Sequence, residues 1–119
     1  MTPVRRGDLF LARLDPTVGS EQARVRPILV VQSDLANPYF QTILSAPISA
    51  SPKAQRREFT VRLSAGEGGL SRDSAVLVFQ IRTLDRRRLF RRIGHLPPAR
   101  MAEVERAILI CFGMEHLLV

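Results

Sequence analysis

RGDLFLARLDPTVGSEQARVRP, running from Arg6 to Pro27, carries the local signals that decide the fold. Asp8 to Arg13 is a short apolar run of strand length, bounded on its far side by turn chemistry. Asp15, Pro16 and Gly19 supply that turn: the acid and the proline preset a bend, and the glycine gives the backbone freedom to complete it. Pro27 opens a second run, Pro27 to Gln32, in which Ile28 to Val31 are apolar without alternation, the pattern of a strand covered on both faces.

Further along the chain, three more runs read as strands: Thr42 to Ile48, Glu58 to Leu63 and Ala75 to Ile81. Asn37 with Pro38, Ser51 with Pro52, and Gly66, Gly68 and Gly69 separate them. Phe59, Val61 and Leu63 alternate with Thr60 and Arg62, as in a strand with one wet face. Beyond Leu96 the period lengthens. Pro97 and Pro98 open a helix in which Met101, Val104, Ile108, Cys111 and Phe112 recur at steps of three and four, ending near Gly113. Leu117, Leu118 and Val119 leave an apolar tail that is disordered, tucked into the core or shared with another subunit. The expected fold is mainly β, of the α+β kind: a small β-barrel with a C-terminal α-helix, one domain over residues 1–119.

Composition narrows the partners. Lysine and arginine number 18 against 11 acidic residues, for a net charge of +7 and a pI near 11.3, which points to RNA, DNA or an acidic polypeptide. All the basic residues but Lys53 are arginine, whose planar fork suits phosphate; a genome that favours arginine codons explains the bias equally well. Cys111 is the only cysteine, so one chain builds neither a disulfide nor a cysteine-rich metal site, and a buried structural thiol is expected. The acidic residues show no metal-ligand spacing, and no metal or cofactor is expected. Charges at Arg5, Arg6, Asp8 and Arg13 interrupt any leader-like apolar run, and no stretch reaches the roughly 18 apolar residues of a membrane span. A cytoplasmic protein with no membrane partner is expected.

In its order of motifs the chain resembles the MazF/PemK toxins of bacterial toxin-antitoxin systems. In that family a first strand beginning Gly-Asp leads to an Asp-Pro turn, a Gly-Ser-Glu-Gln loop and an Arg-Pro dipeptide that opens the second strand. Here these are Gly7 and Asp8, Asp15 and Pro16, Gly19 to Gln22, and Arg26 and Pro27. No single element is specific; the ordered set is. The resemblance continues through Val30 to Asp34 and Asn37, then Pro47, Ile48 and Ser49, then Asp73, Ser74 and the strand ending Gln80 to Asp85, and so covers essentially the whole chain.

The resemblance implies an SH3-like, CcdB-type barrel acting as a homodimer, and a metal-independent endoribonuclease that cuts single-stranded RNA, mRNA in particular, at a sequence motif. Attack by the 2'-hydroxyl gives 2',3'-cyclic phosphate and 5'-hydroxyl ends. The family's catalytic arginine falls on Arg26, and its usual threonine falls on Ser49, which keeps the hydroxyl but lacks the β-branch that fixes the rotamer. Ser45 is a fallback hydroxyl on the same strand. Arginine is a poor base, with a pKa above about 12, so Arg26 is assigned to charge stabilisation at phosphorus and to protonating the leaving 5'-oxygen. Gly19, Ser20, Glu21, Gln22 and Arg24 are expected to contact RNA from the loop after the first strand, with Ser74, Gln80, Arg82 and Arg86 along the groove. The arginines at 82, 86, 87, 88, 91 and 92 bind RNA phosphate or an acidic antitoxin of the MazE kind. Phe79 departs from the family, many of whose members carry a polar or acidic residue before the glutamine. His95 and His116 are not placed beside Arg26 by the pattern, so a histidine-based ribonuclease is not expected. Two alternatives share the fold: a non-catalytic toxin that poisons DNA gyrase, and an RNA-binding barrel without chemistry.

Overall fold

The structure, a computed structural model, describes residues 3–14, 25–51 and 57–118. Seven strands precede one helix: β1 (Asp8–Arg13), β2 (Val25–Val30), β3 (Thr42–Ser49), β4 (Thr60–Leu63), β5 (Ser74–Leu77), β6 (Arg82–Asp85), β7 (Leu89–His95) and α1 (Pro98–Cys111). All strand pairs are antiparallel, and the sheet runs β4-β5-β3-β2-β1-β7, with β6 paired to β3 off that path. The mainly β, α+β class is as expected. The sheet is open rather than closed, however, because β4 and β7 end it without pairing to each other. Helix α1 packs on β4 and the Glu67–Gly69 turn packs on β7.

The alternation along β1 and β2 explains why successive residues from Leu9 to Ala12 and from Pro27 to Val30 are all apolar. Leu9 and Leu29 point to one side, where Ala46, Ile48, Val61, Val76 and the helix residues Met101, Val104 and Ala107 form a first core. Phe10 and Ile28 point to the other side, where Val4, Ala12, Leu14, Val30, Ile43 and Leu84 form a second. A period of two divides one apolar run between two cores. Cys111 is half-buried against the first, and burial pushes its thiol upward, as for a structural cysteine.

The expected strand from Ala75 to Ile81 is interrupted. Val76 lies opposite Ile48 and Arg82 opposite Ser45, so six residues of chain advance only three along β3. The 3-10 turn Val78–Gln80 absorbs the excess and separates β5 from β6. Neither strand covers Ala46 or Pro47, and Pro47 has no N–H to offer a neighbour there. The arginine-rich stretch before the helix is also structured: Leu89–His95 is β7, paired with β1 across two bulges.

A close glycine contact and one polar tie set the remaining geometry. Gly69 (φ +82°) and Gly94 let the 67–69 turn press on β7; a Cβ on Gly69 would fall 1.9 Å from the Ile93 carbonyl oxygen, a backbone atom that cannot yield. Arg100 of α1 then clasps that turn, donating to both Glu67 oxygens at 2.8 and 3.1 Å and to Glu103 at 2.8 Å. Among the described residues no helix is long and apolar enough to cross a membrane.

The bonds from Arg100, then that from the Ser64 N–H, hold the Glu67 carboxyl below its usual range. A carboxylate whose pKa is depressed by folding stabilises the native state above its unfolded pKa, and that stabilisation fades as pH falls towards the folded value. Thermal melts from pH 7 down to pH 3 should therefore show a falling midpoint below about pH 4.5, with Glu67→Gln less stable at neutral pH and flatter through the acid range. Parallel curves for the two proteins would remove Glu67 from the acid response.

Candidate active site

Where the second core runs out, at the ends of β1, β2 and β3, the sheet opens into a cleft of about 490 Å³. Its apolar floor includes Leu14, Pro47 and Leu77. Above it stand Arg26, Arg72 and Arg82, with the polar side chains of Ser49, Ser51 and Gln80. No carboxylate lines it among the described residues. Three arginines around an apolar floor give the cleft a positive potential that suits an anion.

Strand register places the two catalytic candidates. Ile28 lies opposite Pro47, and carried two residues further the same register directs Arg26 towards Ser49 on the same face. The Ser49 hydroxyl accepts from the Ser51 N–H at 3.0 Å, which uses one lone pair and leaves the hydroxyl proton to donate. Gln80 reaches the cleft because the Val78–Gln80 turn is thrown out of the sheet, which also leaves Phe79 half-exposed. Arg82 lies on β6 and donates to the Leu14 carbonyl at 3.3 Å. A second hollow of about 520 Å³ adjoins the first across Ser49, Ala50 and Ser51, and here Ser74 lies, its hydroxyl donating to the Arg72 carbonyl at 2.9 Å.

Arg26, Ser49, Gln80 and Arg82 thus converge, and Ser74 borders them. Gly19, Ser20, Glu21, Gln22 and Arg24 lie outside the described residues. Arg86 does not join them. It is buried, and its guanidinium donates to the carbonyls of Asn37 and, at 3.0 Å, Phe40, with its own N–H on Gln41. These bonds hold the 33–41 loop together with a buried amide pair in which Gln32 donates to Asn37 Oδ1 at 2.9 Å. Ser45 is likewise spent: fully buried, its hydroxyl donates to the Arg82 carbonyl at 3.3 Å. Arg72 carried no signal in the sequence, since a lone arginine in a serine-rich turn belongs to no pattern.

The histidines lie elsewhere. His95 Nδ1 is 2.8 Å from Oδ1 of the buried Asp8, which also takes Arg92 Nε at 3.1 Å and the Arg5 N–H at 3.0 Å, a cluster that ties β7 to the start of β1. His116 is exposed in the Glu115–Leu117 turn. Among the described residues no three His, Cys, Asp or Glu side chains gather as a metal site would require.

Residues 5–112 match the model of the PemK-like, MazF-like toxin of type II toxin-antitoxin systems. The chain belongs to that family. Endoribonuclease EndoA of Bacillus subtilis (strain 168) is 40% identical to it over 111 residues, 93% of this chain and 96% of its own. The crystal structure of MazE-MazF (Form-II) from Deinococcus radiodurans superposes with a TM-score of 0.79 at 27% identity, over 96% of this chain and 99% of that one. A mycobacterial endoribonuclease in complex with its cognate antitoxin shares the fold, with a TM-score of 0.75 at 18% identity over 93% and 96% of the two chains.

For this PemK-like toxin, the contrast between Arg86 and its neighbour separates structural from surface arginines. Removing Arg86 strands buried carbonyls, so Arg86→Ala should cost about 3 kcal/mol in urea unfolding. Arg87→Ala should stay within about 0.5 kcal/mol, because its ion pair with Asp85 is solvent-exposed. Equal losses would show that Arg86 does not anchor the loop.

Proposed function

We propose that this toxin is an endoribonuclease that cuts single-stranded RNA at the Arg26–Ser49 cleft. The observation that carries this reading is the convergence of Arg26, Arg72 and Arg82 with the Ser49 hydroxyl in a cleft lined by no carboxylate among the described residues. The family and the name of the Bacillus relative support it.

RNA brings its own nucleophile. The 2'-oxygen forms a bond to phosphorus, the bond to the 5'-oxygen breaks, the 2'-hydroxyl proton passes to water, and the 5'-oxygen takes a proton from Arg26, which solvent restores. The products carry a 2',3'-cyclic phosphate and a 5'-hydroxyl. Arg26 holds the non-bridging oxygens as negative charge grows, the electrostatic role that preorganised donors fill, and gives the leaving oxygen its proton. Ser49 donates its remaining proton to the same phosphate. Arg82 and Arg72 anchor neighbouring phosphates, which fixes the strand for in-line attack. Gln80 and Ser74 offer amide and hydroxyl groups to bases, and on the sequence alone Gly19, Ser20, Glu21, Gln22 and Arg24 do the same from the loop after β1. The charge handling rests on arginine, so neither metal nor cofactor is assigned.

A type II toxin is held by a protein antitoxin, and the basic cleft suits an acidic segment that competes with RNA for the same guanidiniums. Phe112 and Leu117 are exposed rather than tucked into the core, apolar surface that a second copy in a homodimer would cover. An mRNA substrate places the activity in the cytoplasm.

Incubating the purified protein with a long RNA in EDTA, mapping the cuts and identifying the new ends, tests the reading. Discrete cuts with cyclic-phosphate and 5'-hydroxyl ends are expected, with Arg26→Ala lowering kcat by on the order of 10³-fold; intact RNA, or cuts abolished by the chelator, would overturn it. Ser49→Ala should lose about 10- to 100-fold in rate and Ser49→Thr should retain it. If both variants match the parent, the hydroxyl role lies with another residue.

A further inference from the structure

Across the end of β1 from the cleft lies a basic surface that the cleavage reaction does not use. Arg13, the last residue of β1, stacks its guanidinium over the ring of Phe90 in β7, 5.6 Å from the centroid, and Phe90 is 48% exposed. Arg91 lies opposite Leu11, two residues before Arg13, so Arg91 and Arg13 share a face of the sheet. Arg88 closes the group by donating to the Arg13 carbonyl at 3.0 Å. Nearby arginines are already matched, Arg87 with Asp85 and Arg92 with Asp8. Among the described residues Arg13, Arg88 and Arg91 have no acidic partner.

This surface approaches the cleft at the end of β1. Arg88 binds the Arg13 carbonyl and Arg82, which lines the cleft, binds the next carbonyl, that of Leu14. By strand register Arg13 shares its face with Val25 and Arg26 with Ala12, so this surface and the cleft lie on opposite faces of the sheet and meet where β1 ends. We propose that Arg13, Phe90, Arg88 and Arg91 form a second contact surface for single-stranded RNA, holding the strand outside the cleavage cleft. The proposal rests on the reading of the cleft as an RNA site. An exposed ring beside arginines is the equipment that single strands need, because every base has a face to stack and every nucleotide a phosphate to pair. Charge alone would suffice to keep the edge strand β7 from pairing with other chains. That role gives no reason for an exposed phenylalanine, which works against it.

Two substrates separate the surface from the cleft: an oligonucleotide covering only the cleavage motif, and the same motif extended by about 20 nucleotides. Phe90→Ala/Arg91→Ala, both exposed positions, should raise KM for the long RNA about tenfold or more while leaving kcat unchanged, and should leave both constants unchanged for the short one. The slope of log affinity against log salt for the long RNA should flatten by about 0.7, the loss of one phosphate contact. Losses that are equal for both substrates, or no loss, overturn the proposal. If the double variant melts early, Arg91→Glu alone provides the same comparison. Anisotropy with the long RNA is read alongside. If the parent cuts neither RNA, the cleft reading fails, yet a tenfold affinity gap between parent and variant still supports this surface and equal affinities overturn it. A variant that loses affinity for polyglutamate but keeps its affinity for the long RNA also overturns it, giving the surface to an acidic protein.

Discussion

Everything that shapes the site follows from the load placed on one strand. β3 pairs with β2 along one edge and must serve both β5 and β6 along the other. Two strands in series on one edge cannot continue without a break when the chain between them is longer than the strand they cover. The surplus is pushed out as the Val78–Gln80 turn, at the stretch of β3 where Pro47 offers no N–H. That one accommodation delivers Gln80 to the cleft, sets Leu77 as part of its floor and starts β6 with Arg82 beside the end of β1. The cleft is therefore the residue of a pairing problem, and it lies where the second core has no more apolar side chains to fill it.

The same economy governs charge. Many of the arginines are occupied in holding the fold: Arg6 pairs with Glu105, Arg87 with Asp85, Arg92 with Asp8, Arg100 with Glu67 and Glu103, and Arg86 with backbone carbonyls. The net positive charge is thus concentrated functionally on a smaller set around the end of β1. Several acidic residues are consumed in those structural pairs, and among the described residues the cleft is lined by arginines and apolar side chains with no carboxylate. An arginine's count in the sequence says little; its partner decides whether it is fold or function.

The local pattern made several features legible. The bounds of β1 and the identity of α1 follow from period-two and period-3.6 apolar spacing, and the unbroken apolar run at Ile28 to Val31 correctly signals a strand with a core on each side. What the pattern could not carry was pairing. Nothing between Ala75 and Ile81 announces a break, because the break is imposed by β3 and not by a turn residue. Basic side chains likewise hid β7: five arginines between Arg86 and Arg92 read as a cluster for RNA phosphate or antitoxin, yet Leu89 and Ile93 pack on the two cores and the stretch forms the edge strand beside β1. The polar members of the site divide the same way. Arg26 and Ser49 were legible from strand ends and motif order, whereas Arg86 and Ser45 have the right chemistry and are buried, a distinction that only packing can draw.

Serine in place of the family's threonine at position 49 poses a problem of preorganisation. A β-branched side chain is held in few rotamers by its own backbone, and serine gives up that restraint. The structure supplies it differently. The bond from the Ser51 N–H fixes the position of the Ser49 oxygen from outside, and because it occupies a lone pair it also biases the remaining proton outward. A strand-end hydrogen bond and a phosphate donor are then one feature rather than two competing ones. The backbone after β3 orients the hydroxyl, and in the proposed reaction the cleft's arginines would bring the phosphate to it.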